Sequence, residues 1–372
     1  MKLGYFTMPL HPPTRNYTDI LAEDRASIVL ADRLGYVEAL VGEHVTDTAE
    51  AVTSSLMFVA SLIDATENIT LGSGTVNLPN NHPAQVAAQV AMIDHLLRGR
   101  FLFGISPGGL LSDAEIFGNL DADRTAMFAE SIDHILALWS GEPPYDLTGN
   151  YWNISTRKTL RAETGQGCMV KPFQRPHPPI AVTAASPHSK SLVAAGKRGW
   201  LPISANFLQP CWVATHWPKY VEGCALAGRS ADPADWRVAK SIFVADDAAT
   251  AERYAKGLDG SYAFYFNSLM KKLIRNGRPE LFKADLSMTD DEVTVPYVLD
   301  SLVICGTVDS VVEQLLAFRE RVGDFGTLLY AGHDWADPVL AKRSMELMAT
   351  QVMPALNEAI AAGGVRQEAA SR

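Results

Sequence analysis

Val37-Glu38-Ala39-Leu40-Val41-Gly42-Glu43-His44 is a short apolar run that ends in a glycine and two ionisable side chains. The same ending recurs twice. Gly72-Ser73-Gly74-Thr75 interrupts and ends the run Ile69–Leu78, and Gly104-Ile105-Ser106-Pro107-Gly108-Gly109 ends the run Phe101–Ile105. Three early strands therefore deliver glycine or a hydrogen-bonding side chain at their C-terminal ends. In a parallel α/β barrel those ends share one mouth, and chemistry is done there. Glycine at such a place lets backbone approach a flat ligand closely. His44 carries the side chain whose charge changes most easily near neutral pH.

Outward from these runs, strand and helix patterns alternate. Leu3–Phe6 reads as a strand and Ile20–Leu34 as a helix. Ser54–Asp64 reads as a buried helix. Pro83 opens a helix that Gly99 stops, and Phe128–Trp139 is amphipathic. Gly141–Cys168 breaks the alternation and reads as an insertion with a short hairpin. Strands come next at Ile180–Thr183, Trp200–Ser204 and Val238–Val244, with helices at Ser189–Gly196, Trp212–Leu226 and Ala248–Leu258 between and after them. Asp259–Val293 is a second irregular region, rich in charge and aromatics. Thr307 caps a helix through Phe318, Thr327–Ala331 is the eighth strand, and Leu340–Val352 the last helix. Eight such repeats predict an α/β fold, a (β/α)8 TIM barrel with insertions near 141–178 and 259–300. One domain is expected over residues 1–358, with a flexible tail at 359–372. An open doubly wound sheet would want G-x-G-x-x-G after its first strand, and this chain has Thr7-Met8-Pro9-Leu10-His11 there.

Composition narrows the partners. The 372 residues suffice for about two domains of ~150 residues or for one barrel with insertions. Apolar and aromatic residues make up 47%, so a large core is assured. A net charge of −10 argues against nucleic acid and anionic membranes and for a small-molecule ligand. No apolar run reaches membrane-spanning length, and no secretory signal pattern is visible. Cys168, Cys211, Cys224 and Cys305 are widely spaced, which fits reduced thiols in a cytoplasmic protein. His, Asp and Glu show no H-E-x-x-H or equivalent spacing, so no metal is expected.

Several blocks, taken in order, resemble the bacterial luciferase-like flavin-dependent monooxygenases. They are Gly42-Glu43-His44, Leu71–Pro79, His82-Pro83 through Gly104, Phe117-Gly118 with Arg124, Pro178-Pro179-Ile180 through Ser186, and Ala331–Asp337. Gly108–Asp113 and His333–Asp337 resemble the limonene monooxygenase-like and diketocamphane monooxygenase-like branch. The resemblance implies a barrel that binds FMN in the reduced form supplied by a separate flavin reductase. It further implies that O2 adds to give a peroxyflavin, which oxygenates a small apolar organic substrate.

The resemblance also assigns roles. His44 matches the family's active-site histidine, while its alternative is a satisfied strand-end histidine. Glu43 is either its orienting partner or a buried structural carboxylate, and the structural role is favoured. Gly74-Thr75 matches the position where a non-proline cis peptide supports the flavin ring; an ordinary glycine bulge is the alternative. Ser106 stands where luciferases have a flavin-adjacent cysteine. Ser186 and Ser189, at the turn into a helix, suit the phosphate, although plain capping would also explain them. Arg124 matches a phosphate-contacting arginine. Pro107 and Ala185 replace a family arginine and acid. His333 is delivered toward His44 by the eighth strand and is expected to be catalytic. Met8, His11, Phe207 and Trp335 lie just after strands and are expected to line the substrate pocket, with core packing the alternative for Met8 and Phe207.

The leading function is a two-component FMN-dependent monooxygenase, an oxidoreductase whose oxygenation is Baeyer–Villiger insertion, epoxidation or aldehyde oxidation. A deazaflavin-dependent dehydrogenase on the same fold and a non-catalytic flavin-binding subunit are the alternatives. A homodimer through the Ala-rich segment Pro83–Leu97 and a mobile lid at Asp259–Val293 are expected as well.

Overall fold

The computed structural model describes residues 1–370, and the side chains of residues 1–363. Twelve strands occur among the described residues. They are β1 (Lys2–Thr7), β2 (Glu38–Val41), β3 (Thr70–Ser73), β4 (Val76–Asn77), β5 (Phe101–Ser106), β6 (Asp146–Thr148), β7 (Asn153–Ser155), β8 (Ile180–Ala184), β9 (Leu201–Ser204), β10 (Arg237–Val244), β11 (Val303–Gly306) and β12 (Thr327–Ala331). The order β10-β12-β1-β2-β3-β5-β8-β9, closed by β9 pairing with β10, is a parallel eight-stranded barrel. The (β/α)8 barrel expected from the alternating pattern is therefore the observed fold. β4 pairs with β5 and β11 with β10 outside that ring, and β6–β7 is a separate hairpin inside the segment 141–168.

The chain forms two compact units. One comprises residues 1–39, 49–51 and the chain from Val182 onward; the other comprises Leu40–Thr48 and Val52–Ala181. The second unit holds α2 (Ser55–Ala60), α3 (Pro83–Leu96), α4 (Leu111–Ile116) and α5 (Arg124–Ser140). Its core is built by periodicity. Val86, Val90 and Ile93 of α3 and Ile132, Ile135 and Trp139 of α5 are all buried. Trp139 settles its indole N–H on the Ala87 carbonyl at 3.1 Å. β5 runs close against the end of β3 because residue 104 is glycine: a Cβ there would lie 2.0 Å from the Ser73 carbonyl oxygen.

The first unit opens with α1 (Tyr17–Arg33) and resumes with α6 (Lys190–Arg198), α7 (Pro210–Val213), α8 (His216–Leu226), α9 (Ala248–Lys256), α10 (Ser261–Arg275), α11 (Val295–Leu302), α12 (Val308–Val322), α13 (Pro338–Leu347) and α14 (Met353–Ala370). β1 and β12 pair in parallel with Tyr5 opposite Tyr330, and the two rings stack. α6 and α8 meet through Gly196, where a Cβ would fall 2.4 Å from the Tyr220 carbonyl. Two features depart from the alternating pattern. β11 is a four-residue strand that follows α11 with no intervening turn, so no break in the pattern marks it. The terminal helix continues to Ala370, so the tail expected at 359–372 falls partly in α14 and partly, at 371–372, outside the described residues.

Candidate active site

β2 ends by handing its polar residues to two different tasks. Glu43 accepts from the Ser55 N–H and hydroxyl at 2.9 and 2.7 Å and from the Asn77 N–H at 3.0 Å. Burial raises its carboxyl pKa, and these donors oppose that shift. Its role is to tie the β2 end to α2 and β4, the structural role favoured from sequence. His44 is oriented by a different acid. Its Nδ1 lies 2.9 Å from Asp113 Oδ2, while Asp113 Oδ1 accepts from the Val45 and Thr46 N–H groups and the Thr46 hydroxyl. Burial pushes the Asp113 carboxyl up, but the His44 and Thr46 bonds outweigh it and hold the group below the usual carboxylate range. An ionised Asp113 fixes the orientation of the imidazole through Nδ1.

The Gly74-Thr75 peptide is cis. Beside it runs a chain of hydroxyls: Thr75 Oγ1 donates to Ser106 Oγ at 2.7 Å, and Ser106 donates to Asn77 Oδ1 at 2.8 Å. The Gly108 N–H also donates to Ser106 Oγ, at 3.2 Å. Ser106 thus occupies a fixed place at the β5 end. Arg124, the first residue of α5, reaches the Gly108 carbonyl at 3.4 Å and is partly exposed.

In the other unit, the β8–α6 turn carries Ser186 and Ser189. Ser189 is the N-cap residue of α6, yet its side chain makes no capping bond and pairs with the Ser191 hydroxyl at 2.8 Å. The first N–H groups of α6 are therefore not consumed by the cap. The turn itself is held from outside. His216 Nε2 meets the Ser186 carbonyl at 2.9 Å, the Thr215 hydroxyl accepts the His188 N–H at 2.8 Å, and Arg278 donates to the Ala185 carbonyl at 2.9 Å. Burial lowers the His216 pKa to about 4, so the clasp works as a neutral imidazole.

His11 sits in a buried charge cluster. Its Nδ1 meets Asp334 at 2.6 Å and its Nε2 meets Asp24 at 3.2 Å. Burial alone would lower its pKa, but the two carboxylates push it up to about 9. Both ring nitrogens are used, so the structure gives His11 to this cluster rather than to a pocket lining. His11, Glu23 and Asp334 also bring ligand-type atoms within 4.8 Å of one another. Arg15 donates to both carboxylates there. Trp335 is anchored next door, its N–H on Glu23 at 2.8 Å, with Lys342 over its ring.

His333 is 8% exposed. Its Nε2 lies 3.0 Å from the Ser241 hydroxyl, and its Nδ1 has no partner. Tyr262 lies over the ring at 4.0 Å between centroids, and Tyr265 meets it edge-on at 4.7 Å. Burial lowers its pKa to about 3 against the opposing charge of Asp334. Met8 and Phe207 are partly exposed.

Strand-end position and the family resemblance brought out His44, Thr75, Ser106 and Ser189 as site residues but not Asp113, Asn77, Ser241 or Asn206, whose polar groups complete these networks. Asp113 lies 69 positions from His44, and no local pattern links the two. Away from the strand ends, a surface hollow of about 410 Å3 lies at the N-terminal side of β3 and β5, lined by Ile63, Thr66, Leu97 and Arg100 among others. That face of a barrel serves stability rather than chemistry.

Residues 1–324 match the family described as Luciferase-like monooxygenase. The 4-hydroxyprotoasukamycin monooxygenase of Streptomyces nodosus subsp. asukaensis is 32% identical over 96% of this chain and 92% of its own length. The limonene 1,2-monooxygenase of Rhodococcus erythropolis is 31% identical over 95% and 86%. Among solved structures, the oxygenating constituent of 3,6-diketocamphane monooxygenase from Pseudomonas putida, a type II Baeyer–Villiger monooxygenase in complex with FMN, superimposes with a TM-score of 0.86 at 26% identity, covering 95% of this chain and 98% of its own. The chain belongs to the luciferase-like monooxygenase family. It is an enzyme, an oxidoreductase of the monooxygenase class, and the limonene and diketocamphane relatives are those of the branch that Gly108–Asp113 and His333–Asp337 resemble.

Proposed function

We propose that this protein is the oxygenase component of a two-component system that uses FMN, reduced by a separate flavin reductase, and O2 to oxygenate a small apolar organic molecule. The observation that carries the reading is the His44–Asp113 pair at the end of β2, set beside the Thr75–Ser106–Asn77 hydroxyl chain. The donor sets fit the cofactor. The N-terminus of α6, with its capping bond unmade and the Ser189–Ser191 hydroxyls beside it, suits a phosphate. The Gly74–Thr75 backbone with the Thr75 and Ser106 hydroxyls suits the polar edge of the flavin ring. When bound, reduced FMN supplies the electrons that activate O2. His44, oriented by Asp113 on Nδ1, holds or returns a proton. The FMN complex of the 3,6-diketocamphane enzyme and the matching branch support the same assignment.

The test is a pair of titrations, reduced FMN and reduced riboflavin, on the wild type and on the Ser186→Ala, Ser189→Ala double variant. FMN should bind, and the variant should weaken FMN more than riboflavin. Equal weakening would move the phosphate elsewhere, and absence of FMN binding in the wild type would end the reading.

A further inference from the structure

The orientation of one buried proton carries an inference about the substrate. Tyr265 donates its hydroxyl to Asn206 Oδ1 at 3.1 Å, and Asn206 turns its Nδ2 to Ser241 Oγ at 3.1 Å. With that donor received, the Ser241 hydroxyl has its own hydrogen to give, and His333 Nε2 stands 3.0 Å away. Where Ser241 gives that hydrogen to Nε2, Nε2 is the acceptor and the ring proton is on Nδ1. Nδ1 is the atom with no partner in a side chain that is more than nine-tenths buried. A buried donor without an acceptor is costly, and native proteins reserve such groups for a role. The surrounding rings, Tyr262, Tyr265 and Phe266, are apolar walls around one donor. All three belong to α10.

We propose that the His333 Nδ1–H is the recognition point for a carbonyl oxygen, and that the natural substrate is a compact carbonyl compound rather than an alkene. This rests on the oxygenase reading for the identity of the ligand as a substrate. The names of the relatives include both chemistries, a terpene alkene and a diketone, and the lone donor discriminates between them. A ketone oxygen satisfies the N–H; an alkene of the same shape leaves it unpaired. Because burial keeps His333 neutral down to about pH 3, the donor persists unchanged over the working range. His333 is the contacting group. Ser241, Asn206 and Tyr265 are positioning residues that fix its tautomer.

The experiment uses the flavin-free protein, the isosteric pair cyclohexanone and methylenecyclohexane, and cyclohexanecarboxaldehyde as a second carbonyl probe. The proposal expects both carbonyl probes to bind roughly tenfold to a hundredfold tighter than the alkene. The infrared carbonyl stretch of bound cyclohexanone should shift to lower frequency, and both effects should vanish in His333→Phe. Nitrogen-15 spectra of the ligand-free protein should show His333 protonated on Nδ1, with that preference lost in Ser241→Ala, a milder variant that leaves the aromatic walls in place. Equal affinity for the alkene, or a ring protonated on Nε2, would overturn the proposal and leave the N–H region as plain packing against the Tyr265 ring. FMN titrations on the same sample report separately on the flavin reading, so either can fail alone.

Discussion

His44 and Asp113 concentrate the chemistry in one contact, and the contact is testable. His44→Ala should keep FMN binding and lower product formation by ~10²–10⁴-fold, the usual share of an acid–base group. Asp113→Asn should lower it less and shift the pH profile of turnover, because Nδ1 loses a fixed charge while the ring stays. Wild-type turnover and profile in both variants would remove the role. His11 makes a second residue-scale prediction. Its folded pKa is raised from 6.5 to about 9, so the stability it contributes is complete below about pH 6.5 and is lost as pH rises through about 9. Lys240, buried and lowered to about 7, works in the opposite direction over part of that range. The difference in Tm between wild type and His11→Gln is therefore the quantity to track, and it should shrink between pH 6.5 and 9; a constant difference would contradict the assignment. Single residues were legible where a strand end announced them, as with His44 and Ser106. They were illegible where the partner came from a distant helix, as with Asp113, or where local position suggested a pocket and long-range charge decided otherwise, as with His11.

At the scale of elements, the segment Asp259–Val293 shows what pattern reading can and cannot do. Much of the region rich in charge and aromatics becomes α10, with Tyr262, Tyr265, Phe266 and Met270 buried. The chain just past α10 is stitched down. Leu281 and Phe282 are fully buried, Gln209 donates to the Phe282 carbonyl at 2.8 Å, and Trp212 donates to the Lys283 carbonyl at 3.0 Å. A deletion through 281 and 282 would therefore damage the core. The better probe of a lid is the contact between Lys272 of α10 and Glu50, at 2.9 Å. If closure of α10 protects the oxygenating species from water, Lys272→Ala should let flavin oxidation continue while hydrogen peroxide replaces part of the product. An unchanged ratio of product to peroxide would make α10 a fixed wall. The alternating repeats gave away the barrel strands, and the ends of β2, β3 and β5 carry glycine as well. β11 escaped because its four residues are indistinguishable from the end of the preceding helix.

For the whole molecule, the alternation of strand and helix made the barrel readable, since a closed parallel ring is what that order builds. The division into two compact units was not readable, because it depends on contacts between distant segments rather than on any composition break. No helix among the described residues is long and apolar enough to cross a membrane. Association is a separate matter. Met92 and Leu96 of α3 are 58% and 53% exposed, on the Ala-rich segment expected to pair two copies. A two-fold dimer should sediment as such at micromolar concentration, and Met92→Glu with Leu96→Glu should yield monomer; a monomeric wild type would dismiss the pairing. The central claim is that this barrel couples reduced FMN and O2 to oxygenation. Its most direct test is a single-turnover reaction in which the protein, FMN photoreduced without a reductase, and a panel of ketones, terpenes and aldehydes are mixed with oxygenated buffer, and products are weighed by mass spectrometry. The expected result is a product one oxygen atom heavier than its substrate, formed with reduced FMN and not with a reduced deazaflavin. Reduced FMN that oxidises with no oxygenated product from any of these substrate classes would contradict it.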